Sequence, residues 1–114
     1  MLQQRLISID DKAQWQRELL TMPHAPAHLW EYNQAITASS KLSTVLYSAT
    51  APGFKAICPL SIREKAGKLD IVTPYGFGGF SCIGTFPEFE RLWHHFFQKN
   101  YVCKHKMILL VTII

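Results

Sequence analysis

Apolar positions along the chain follow two rhythms, one helical and one extended. Leu6, Ile7 and Ile9 mark a short extended segment from Arg5 to Ile9. Asp10 or Asp11 then supplies a helix cap, because a short carboxylate accepts from unpaired N–H groups and suits the positive helix end. Trp15, Leu19 and Met22 recur at helical spacing until Pro23 stops the run. Beyond the Pro23-His24-Ala25-Pro26 loop, the pattern predicts a second helix over residues 27–38. Its apolar face holds Leu29, Trp30, Tyr32, Ala35 and Ile36.

Ser39-Ser40-Lys41 breaks the helical rhythm, and Thr44 to Ser48 has the β-branched and aromatic character of a strand. Ala51-Pro52-Gly53 is a turn signal. Residues 54–63 alternate loosely as a further strand, with Pro59 in the middle. A proline there belongs at an edge position or a bulge. Lys65-Ala66-Gly67-Lys68 closes a hairpin into residues 69–73. Thr85-Phe86-Pro87-Glu88 fits a capping box with Thr85 as the cap and Glu88 reaching back. The helix it opens runs to about Asn100 and buries Phe89, Leu92, Trp93, Phe96 and Phe97. Residues 106–114 read as a buried strand, either central in the sheet or a place of self-association. This order predicts an α+β fold, with helices packed on a mixed, largely antiparallel sheet.

The 114 residues make one domain, and a hydrophobic fraction of 48% excludes a disordered chain. No apolar run reaches the roughly 18 residues needed to span a bilayer. No secretory leader is recognisable, so a cytoplasmic location is expected. The net charge of +4 is uneven, because three lysines cluster within Lys99-Asn-Tyr-Val-Cys-Lys-His-Lys106 while the remainder is nearly balanced. One short cluster is a poor footprint for nucleic acid, although it leaves a small nucleic-acid binder as a third reading. Cys58, Cys82 and Cys103 lie far apart, which suits buried thiols better than a disulfide framework or a zinc site.

The least ordinary stretch is Thr73-Pro-Tyr-Gly-Phe-Gly-Gly79, three glycines alternating with two aromatics directly after a strand. Glycine permits positive φ and close backbone approach, and the aromatics offer flat faces and a tyrosine hydroxyl. A bulged hairpin with aromatic packing is the plain structural alternative. Here the chain resembles the peptidoglycan-bridge and related acyltransferases of the FemAB-like group, within the GNAT superfamily. Trp15, the Pro26-Ala-His-Leu-Trp-Glu-Tyr32 segment and the helix carrying Phe86-Pro-Glu-Phe89, Leu92, Trp93 and Phe96 share in the resemblance.

The resemblance implies a GNAT-like N-terminal lobe over residues 1–103. It further implies a first-lobe version of the fold that contributes an acceptor-substrate groove and is inactive alone. Tyr75 would contact an amine-bearing acceptor, with Gly76, Phe77 and Gly78 in the same turn. The donor implied is an acyl-coenzyme A or an aminoacyl-tRNA, held by a second lobe or another chain, and no cofactor belongs to this chain. Residues 104–114 depart from the family as a divergent C-terminal strand; truncation is one explanation and a short paralogue another. The alternative function is a non-catalytic interaction module that pairs through that strand.

No residue is assigned a catalytic or metal-ligating role. His24 and His28 are separated by Pro26, which favours loop capping over chelation. His94 and His95 are adjacent on one helix and diverge by about 100°. No nucleophile elbow, phosphate-binding loop or dinucleotide glycine loop is present in the sequence.

Overall fold

Thr44 to Ile62 supplies the longest β-prone stretch of the chain, and it folds back on itself at Pro52-Gly53 to make the centre of the sheet. A computed structural model describes residues 2–40, 42–65, 68–72, 80–100 and 111–113. The elements are β1 (Gln3–Ser8), α1 (Lys12–Leu20), a 3₁₀ turn (Pro26–His28) and α2 (Trp30–Ser40), followed by β2 (Ser43–Ala51) and β3 (Phe54–Lys65). They continue with β4 (Lys68–Val72), β5 (Phe80–Ile83), α3 (Phe89–Asn100) and β6 (Val111–Ile113). The strand order is β1-β2-β3-β5-β6, with β4 also on β3. Every pairing is antiparallel except β5 with β6. The expected α+β class, a mixed and largely antiparallel sheet packed with helices, is the one observed. Among the described residues, no helix is long and apolar enough to cross a membrane.

Alternation along the strands gives the sheet two buried faces. On one, Ile7, Leu46 and Ile57 meet Trp15, Leu19 and Met22 around α1, with Trp30 of α2. On the other, Tyr47, Phe54, Ala56, Cys58, Phe80 and Cys82 meet Trp93 of α3. Rings dominate this second core. Phe80 meets Tyr47 and Phe89 edge to face, with centroids 5.9 and 5.3 Å apart. Such pairs each add about 0.5–1.5 kcal/mol beyond the area they bury.

Asp11 caps α1, its Oδ1 accepting the Gln14 N–H at 3.2 Å. The second helix starts later than the sequence pattern suggests, because Pro26–His28 first makes a 3₁₀ turn in which the His28 and Leu29 N–H groups donate to the Ala25 and Pro26 carbonyls. Asn33 Nδ2 donates to Ala27 and Leu29 at 2.9 and 2.8 Å, and Trp15 Nε1 donates to His28 at 3.0 Å. Leu29 and Ala35 are exposed, and the buried position on that helix is Asn33.

The expected capping box at Thr85 does not form. Phe86 and Phe89 both pack on Phe54, 5.6 and 5.1 Å away, and their burial sets the path of the chain before α3 begins. Glu88 then turns outward to Arg91 at 2.9 Å. Among the described residues, β6 stands at the end of the strand order, beside β5.

Two turns touch behind this core. Gly53 and Gly84 both have left-handed backbones, φ +72° and +76°. A Cβ on Gly84 would fall 1.9 Å from the Gly53 carbonyl oxygen, whereas a Cβ on Gly53 would meet nothing within 4 Å. Gly53→Ala therefore carries only the left-handed penalty, about 1–2 kcal/mol. Gly84→Ala adds a backbone clash and is expected to cost at least about 1 kcal/mol more. Urea denaturation of the two variants checks the order, and equal costs would contradict the contact.

Candidate functional site

The β3 edge is divided between two partners. Ser61 pairs with Val72 at the end of β4, and Ile57 pairs with Ser81 in β5. Both partners run antiparallel to β3, so β5 continues the line of β4. Between these pairs, β3 has the three residues 58–60 while the chain opposite has the eight residues 73–80. The glycine-aromatic stretch is thus the connection between β4 and β5, two strands that pair with the same edge of β3. Tyr75, Gly76, Phe77 and Gly78 lie outside the described residues, but both anchors of the segment are fixed on the same central strand.

Pro59 lies in this gap, where neither β4 nor β5 pairs with β3. On its other side Pro59 pairs with Leu46 of β2. Ser61 stands at the foot of the connection between β4 and β5. Its hydroxyl is buried and has no hydrogen-bond partner among the described residues.

A second cluster was not foreseen from sequence. Glu18 of α1 is buried against the sheet, where Ser48 Oγ donates to Oε1 at 2.6 Å and Arg5 Nη2 donates to the same oxygen at 2.8 Å. Lys55 Nζ lies 3.6 Å from Oε2 and donates to the Thr21 hydroxyl at 2.9 Å. Arg5 and Ser48 face each other across β1 and β2, so the register itself builds the receptor for the carboxylate. Burial pushes the Glu18 carboxyl upward, but the Ser48 hydrogen bond and the charges of Lys55 and Arg5 outweigh it and hold the pKa below the usual value. The available signal was one carboxylate three residues after Trp15 on an apolar helix face.

The remaining shifted groups are quenched rather than activated. Burial pushes the Tyr47 phenol and the Cys58 thiol far up, each reinforced by a neighbouring ionisable group, and burial raises Cys82 as well. A reactive thiol needs a lowered pKa and access, and neither Cys58 nor Cys82 has them. Cys103 lies outside the described residues. His24 and His28 are loop caps, as expected: His24 Nδ1 sits 2.8 Å from the Met22 carbonyl, and the Ala25 N–H donates to His28 Nδ1 at 2.9 Å. His94 and His95 are both exposed, and His94 stacks on Trp93 at 4.1 Å. Among the described residues, no group of three metal-ligating side chains converges.

An open groove of about 490 Å³ runs between α1 and α2, lined by Leu19, Leu20, Leu29 and Trp30 with Arg17 and Glu31 at its rims. Set against protein-family models, curated proteins and solved structures, the chain finds no match.

Two measurements follow from these side chains. Glu18→Gln is expected to cost about 1.5–3 kcal/mol at neutral pH, the range for a hydrogen bond to a charged group. Because the folded-state pKa is lowered, the stabilisation is full above the ordinary value of 4.5 and is lost as pH falls through the folded value. Urea midpoints of parent and variant should converge in acid; a gap that widens there would overturn the assignment. In a Cys103→Ser chain, Cys58 and Cys82 should resist alkylation while folded and react fully in denaturant. Native labelling at free-thiol rates would show that they are accessible.

Proposed function

We propose that the chain is the N-terminal lobe of a FemAB-like acyl or aminoacyl transferase, with a GNAT-like fold. In this reading it contributes the acceptor-substrate groove, with Tyr75, Gly76, Phe77 and Gly78 in contact with an amine-bearing acceptor. The observation that carries the reading is the position of this segment in the chain, between β4 and β5, which both pair with β3. Binding loops are favoured where a rigid scaffold holds their ends, and strand interruptions recur beside binding sites. Glycine inside a strand line costs stability and marks a close approach of ligand or backbone. The mixed sheet packed with helices suits the same reading.

The acyl-coenzyme A or aminoacyl-tRNA donor belongs to a second lobe or another chain. The described residues supply positioning, since Glu18 is locked by three partners and the buried thiols and phenol are held protonated. Acyl transfer draws on positioning and electrostatic stabilisation together, about 7–11 kcal/mol from positioning alone in well-oriented systems.

The purified chain is expected to bind amine-bearing peptides without transferring an acyl group from coenzyme A thioesters or charged tRNA. Binding should perturb the amide resonances of Val72 and Phe80, at the two anchors. Tyr75→Ala should weaken it by about tenfold, a loss of about 1.4 kcal/mol, while leaving the melting temperature unchanged. Shifts confined to other parts of the sheet would sink the acceptor assignment. Turnover by the lone chain that disappears with Tyr75→Ala would show that the lobe is self-sufficient.

A further inference from the structure

We draw no further inference here: the strongest candidate, the open apolar groove between α1 and α2 bordered by Leu20 and Leu29, has nothing in the structure to show what covers it.

Discussion

The long central strand β3 is the constraint on which the rest of the structure depends. One of its edges is matched by β2 from Phe54 to Ile62, and the other is shared by β5 at residues 55–57 and β4 at residues 61–65. Pro59 stands where that second edge changes partner. The glycine-aromatic segment follows β4 and precedes β5, two strands that both pair with β3.

The helices attach to this frame by different physics on its two faces. Beneath α3 the contact is aromatic, with Tyr47, Phe54 and Phe80 meeting Phe89 and Trp93. Beneath α1 it is mixed, apolar at Trp15 and Leu19 but charged at Glu18. Burying a carboxylate costs several kcal/mol unless its partners are well placed, so such a contact adds little net stability and much specificity of position. Arg5, Ser48 and Lys55 come from three consecutive strands, and only the correct register of all three completes the set. The Lys55 ammonium also donates to the Glu18 carbonyl at 3.3 Å, tying down the last turn of α1. One helix is therefore registered against three strands through a single side chain.

Local signals in the amino-acid sequence determined most of the elements. Asp11 could be named as a cap, Pro52-Gly53 as a turn and the Phe89–Phe96 stripe as a core face, because capping, positive φ and helical periodicity each act over a few neighbouring residues. His24 and His28 were legible as loop caps for the same reason, and the glycine spacing marked residues 73–79 as unusual. Tertiary structure alone decided matters that depend on distant residues. The capping box at Thr85 gave way because Phe86 and Phe89 bury themselves on Phe54, more than thirty positions earlier. Asn33 went inward, and Ala35 outward, because its amide serves carbonyls in the preceding loop. The Glu18 receptor and the continuity of β4 with β5 left no local spacing to read. Both arise from strand register, which is set by the burial of two faces at once and by no single stretch of chain.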